Sequence, residues 1–206
     1  VFMTIVATFD GGKAMRRITA LASFGYAFPG TILAIGVVIA GGAVDAQIAS
    51  LVEWGLGFSY GGWLTSGFGL IVFACVVRFQ AIGYGAVTTG LGRIPSNMME
   101  ASRLLGRGFS QSIRLVMLPL VRLSCIAGGL LVFVDVMKEL PMTLLLRPFN
   151  FETLATHVYW FASDEMLGEA ALGSLTIVLV GLLPVALLSR LTTQTRSVQP
   201  GIVVDK

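Results

Sequence analysis

Charge is scarce in this chain. Only 12% of its 206 residues are Asp, Glu, Lys or Arg, about half the share of a soluble domain, and 55% are hydrophobic. A water-soluble globule of this size has too thin a polar skin to hide that much apolar surface. Disorder is excluded by the same composition. Two cysteines are too few for a disulfide-stapled secreted module. There is no HExxH pair, no nucleophile elbow and no phosphate-binding glycine loop with lysine, so no catalytic or nucleotide site is expected in the chain itself. No basic run or aromatic platform supports nucleic-acid binding. What is abundant is apolar residues and glycine, 25 of them, the mix of a multi-pass membrane protein.

A helix rises 1.5 Å per residue, so about 20 apolar residues cross a ~30 Å hydrocarbon core. Four segments qualify: Ile18 to Ala40, Trp63 to Val87, Val116 to Val136, and Ala170 to Ser189. Val1 to Phe9 is apolar but short and reads as the tail of a truncated span, so the chain is expected to be a fragment of a longer protein. The expected fold is an all-α polytopic bundle, a single transmembrane domain over 1–206. Lys and Arg collect between spans in 10–17, 88–115 and 190–206, and acidic residues in 41–62 and 137–169. The positive-inside rule places the first set in the cytoplasm and the second on the other side. Trp54, Tyr60, Trp63, Tyr159 and Trp160 fall at the outer span ends as an aromatic belt. Cys75 and Cys125 lie inside spans, and the glycines at 25, 30, 36, 128 and 129 suit close helix packing.

The cytoplasmic stretch 93–115 is the informative one. Ser96 or Asn97 offers an N-cap, a short helix follows to Leu104 or Leu105, and Gly106 ends it in a left-handed conformation. A second short helix from Phe109 leads into the membrane at Pro119. Leu104, Leu105 and Phe109 supply apolar knobs beside Arg103 and Arg107. Glu100-Ala101-Ser102, then Gly106, then Val116-Met117-Leu118-Pro119 resembles the cytoplasmic signature of permease subunits of bacterial ABC importers, with Ser102 and Val116 in place of that family's Ala and Ile.

The resemblance implies that Glu100, Ala101, Ser102, Leu105, Gly106, Leu118 and Pro119 belong to an elbow that docks on an ATP-binding cassette ATPase. Phe133 to Pro148, with Lys138-Glu139-Leu140-Pro141, then Thr153 to Thr156, together with Tyr26 to Thr31 and Arg78-Phe79, is similar to ferric-iron importer permeases. This likeness covers roughly 14–195 and fits the C-terminal half of a fused two-half chain. Relatives carrying thiamine, phosphonates or polyamines share the fold. The resemblance further implies a bacterial inner-membrane location, a periplasmic substrate-binding protein and a second permease half as partners. No cofactor is expected in this chain, ATP being handled by the partner subunit.

Several residues carry two readings. Asp135, Lys138 and Glu139, with Pro141, either line the translocation path or form a helix-end ion pair that holds the Pro141 turn. Met142 to Leu146 is too short to cross and is expected to dip back into protein as a re-entrant segment. Arg78 either snorkels to the head groups or pairs with a carboxylate, of Asp135 or of a second half. His157, near Glu152, Asp164 and Glu165, is no sufficient metal site, since ferric iron wants several fixed hard ligands. Rival classes are a membrane-surface enzyme using Asp135, Lys138, Glu139 and His157, which lacks a spaced motif, and an ion-coupled transporter, which would more often place carboxylates mid-span.

Overall fold

The computed structural model describes residues 24–95 and 97–196, with Thr4, Lys13 and Arg17 as isolated positions before them. Most of the expected stub 1–9 and of loop 10–17, the start of the expected first span (18–23) and the Ser96 cap lie outside the described residues, as does the tail beyond 196. The described residues are overwhelmingly helical, with no strand among them. Among the described residues, four helices are long and apolar enough to cross a membrane: Gly30–Leu56, Gly69–Leu91, Phe109–Met137 and Leu167–Leu187.

The first span departs from expectation. A 3-10 turn, Phe24–Ala27, interrupts the run that the sequence reads as one helix from Ile18. Pro29 then starts α1 (Gly30–Leu56), which runs far beyond Ala40 into the presumed loop 41–62. The turn is pinned because Gly25 presses on the backbone carbonyl of Val77, where a Cβ would collide. The helix survives its internal charge because Asp45 is buried and fully used. Its carboxylate accepts from the Thr65 N–H (2.8 Å) and hydroxyl (2.7 Å), the Leu64 N–H (3.2 Å) and the Tyr60 hydroxyl (3.0 Å). Asp45 thereby caps α2 (Trp63–Ser66) from another helix, so the residues from Trp63 form a separate turn rather than the start of the second span. Gly57, at φ 72°, ends α1 by a bond from its N–H to the Glu53 carbonyl.

The second span is α3 (Gly69–Leu91), shifted along the chain from 63–87. After the elbow helix α4 (Asn97–Leu104), α5 (Phe109–Ser112) continues through a π-helical turn, Ile113–Met117, into α6 (Leu118–Met137). The π turn sits where Pro119 deprives the Leu115 carbonyl of its usual donor; the Leu118 N–H bonds back to Ile113 instead. Short helices α7 (Pro141–Leu146) and α8 (Leu154–Ser163) precede α9 (Leu167–Arg196), which packs on α8 and α6.

Two apolar clusters hold the bundle. One joins Ala34 and Val37 of α1, Leu70, Ile71, Ala74 and Phe79 of α3, and Met142 and Leu146 of α7. The other joins Val87 and Leu91 with Ile113, Met117 and Val121 beneath the elbow. Outward faces carry Ile32, Ile35, Leu123, Ile126, Leu179 and Leu183, all exposed, as expected where lipid is the solvent. Alternating helix directions put the elbow at one end of the bundle and the Asp45 corner and α7–α8 at the other. Thiol labelling checks this: Ser50→Cys and Asp164→Cys should react from outside and Asn97→Cys only from inside. Ala155, in the outer segment, is buried and would report poorly.

Candidate functional site

The elbow is built as its residues demand. Gly106 has φ 77°, the Gly106 N–H bonds to the Arg103 carbonyl (2.9 Å), and the Arg107 N–H to the Ser102 carbonyl (3.3 Å). This pair of bonds is a Schellman closure, which requires a left-handed residue at the glycine position. Nothing lies within 4 Å of where a Gly106 Cβ would stand, so the requirement is one of backbone conformation alone. Glu100 lies in the first turn of α4, where an anion suits the positive end of the helix, and is exposed.

Leu104 and Leu105 project at the corner, 89% and 79% exposed, beside exposed Ala101, Gly106, Arg103 and Arg107. Arg103 also lies over the Phe109 ring at 5.6 Å. Ser102 is not on this surface. It is buried, its hydroxyl 2.8 Å from that of buried Ser112, tying α4 to α5. Leu118 and Pro119 are exposed but lie six to seven residues beyond Ser112, roughly 10 Å along the span, and are not part of the corner. Ser112 was not marked by any sequence pattern; only its partner's position in the motif could have pointed to it.

Midway along α3, Arg78 does not pair with Asp135. Its Nη1 lies 3.4 Å from Glu139 Oε1, and both side chains are largely buried, 19% and 8% exposed. The same Oε1 accepts the Met142 N–H (3.2 Å), and the Thr143 hydroxyl donates to the Glu139 carbonyl (2.6 Å). Glu139 therefore holds the Pro141 turn and, with it, α7. The expected re-entrant segment is a buried helix, with Met142, Thr143 and Leu146 inside the bundle. Gly30, at the first turn of α1, faces both charges: a Cβ there would strike Arg78 Nη1 and stand 2.8 Å from Glu139 Oε1.

Asp135 instead pairs with exposed Lys138 (2.8 Å), a hydrogen bond that holds the lysine ammonium above its ordinary range. Farther out, Glu152 is shared by Arg147 (3.3 Å) and His157 (3.6 Å), and Arg147 covers Trp160 at 5.4 Å. The cation beside Glu152 is thus an arginine of the same chain.

Residues 1–196 match the family described as "Binding-protein-dependent transport system inner membrane component". The chain is also similar to the Fe(3+)-transport system permease protein FbpB 2 of Haemophilus influenzae, 27% identical over 148 residues. That alignment covers 72% of this chain but 29% of the relative, so the chain spans less than a third of the relative's length. A four-span helical bundle, an elbow of the expected form and a family match over nearly its whole length make this chain a member of the binding-protein-dependent transport system inner-membrane permeases, multi-pass transport proteins rather than enzymes.

Proposed function

We propose that the chain is one permease half of an ATP-driven bacterial inner-membrane importer, and that its substrate is ferric iron. The carrying observation is the elbow. A Schellman corner fixes Leu104 and Leu105 outward at the arginine-rich end, where an ATPase subunit can seat them. Closure of two ATPases on ATP pushes this corner, and α5, the π turn and α6 form one continuous path from it into the membrane. Substrate arrives on a periplasmic binding protein at the opposite end, where Asp135, Lys138, Glu139, Pro141 and Arg78 border the translocation path. A second half, fused or separate, supplies the remaining walls. The iron assignment is supported by the relative's function and by the similarity of the Lys138–Pro141 stretch.

The test is copurification followed by transport. An ATP-hydrolysing subunit should copurify with the chain, and vesicles holding both should take up ferric iron from its binding protein only when ATP is supplied. Uptake of a phosphonate, polyamine or thiamine in its place would reassign the substrate and leave the permease reading intact. Glu100→Lys should weaken ATPase retention without lowering the amount of protein in the membrane.

A further inference from the structure

We propose that the Arg78–Glu139 pair is a releasable latch: it seats α7 in the bundle and, when it opens, uncovers the α3 face that carries Cys75. A helix of six residues does not hold itself. Apolar packing of Met142 and Leu146 seats one side of α7, and Glu139 fixes its start through Met142 and Thr143. Arg78 in turn fixes Glu139. Without Arg78 the carboxylate would stand in an apolar cluster with no cation beside it.

The pair is made incompletely, and this marks it as a latch rather than a permanent tie. Charge-assisted N–H···O bonds run about 2.7–2.9 Å and are often bidentate with arginine; here a single contact is 3.4 Å long. Arg78 Nε is buried with no hydrogen-bond partner among the described residues. A buried pair with an idle donor recovers little of its desolvation, so separating it costs less than separating a saturated one. The positive end of α1 at Gly30 favours Glu139 and disfavours the guanidinium beside it. Glycine at 30 is the allowance for the closed latch, since any Cβ would displace the two side-chain tips.

Cys75, one helical turn before Arg78, is half-buried against the same cluster as Met142 and Leu146, so its reactivity reports the latch. In membranes holding the intact transporter, with every cysteine except Cys75 replaced, the rate of alkylation by N-ethylmaleimide is measured. Arg78→Gln, Glu139→Gln and Gly30→Ala should each react several-fold faster than the parent at equal amounts in the membrane. Gly30→Ala removes no charge and displaces only flexible tips, so it keeps the test sound where a neutralised variant folds poorly. Arg78→Lys, which keeps a cation beside Glu139 and leaves its carboxylate on the Met142 N–H, should return the rate toward that of the parent.

Parent rates in Gly30→Ala, or Arg78→Lys as reactive as Arg78→Gln, would overturn the latch. That the latch releases during transport rests on the importer reading. It predicts faster alkylation of the parent protein during ATP-driven uptake than without nucleotide; equal rates during measured uptake would overturn release. Absence of any ATP-driven uptake would count against the importer reading alone, because the variant comparison is made without nucleotide.

Discussion

Gly106→Val is expected to abolish uptake while leaving the chain in the membrane at its normal level. At φ 77° a Cβ costs about 1–2 kcal/mol, and a β-branched residue sits at the upper end. Since open space surrounds the position, that cost falls on the corner and not on the bundle. Valine would turn the backbone right-handed. The Arg107-to-Ser102 closure and the Ser102–Ser112 contact would then be lost, and Leu104 and Leu105 would leave the positions in which the corner presents them. If docking needs the left-handed corner, 1–2 kcal/mol corresponds to roughly five- to thirtyfold weaker ATPase binding. Gly106→Asn, which tolerates the left-handed region, should retain most of the binding. The check is membrane content, ATPase retained on pull-down, and uptake, all measured for both variants. Full retention and full uptake in Gly106→Val would reduce the loop to an interfacial helix.

The second large effect is on stability. Gly128→Leu should lower the thermal midpoint of the detergent-solubilised protein steeply, whereas Gly129→Leu should leave it nearly unchanged. A Cβ at 128 would stand 2.7 Å from the Ala86 Cβ and 3.7 Å from the Gly83 Cα, so α6 and α3 meet there almost backbone to backbone. Overpacking such a crossing costs about 1–3 kcal/mol or more, since neither contacted atom can rotate away. Gly129 has nothing within 4 Å and is exposed. Equal midpoints for the two leucine variants would contradict the close crossing.

The glycine pair also shows where sequence reasoning reached and where it stopped. Apolar runs located four spans because a ~30 Å core demands them whatever surrounds each helix. Gly106 was legible because an apolar short helix followed by glycine is a local pattern with a local cause. Which of Gly128 and Gly129 faces α3 depends on the rotation of α6, and no neighbour in sequence encodes that. The ends of α1 differ from those the apolar run predicts for a similar reason. Asp45 reads as a loop residue until Tyr60, Leu64 and Thr65 are folded back onto it. The partner of Arg78 lies 61 residues away, and in one dimension nothing separates Asp135 from Glu139 for that role. Ser102 sat inside a recognised motif, yet its burial against Ser112 appears only when the corner closes.

The account stands or falls on what touches the corner. A photoreactive amino acid at Leu105, which is exposed and points away from the bundle, can be activated in cells that make the intact transporter. The account predicts a covalent adduct between this chain and an ATP-hydrolysing subunit, with the yield lost in Gly106→Val. Adducts with lipid only, or with proteins that hydrolyse no ATP, would contradict it.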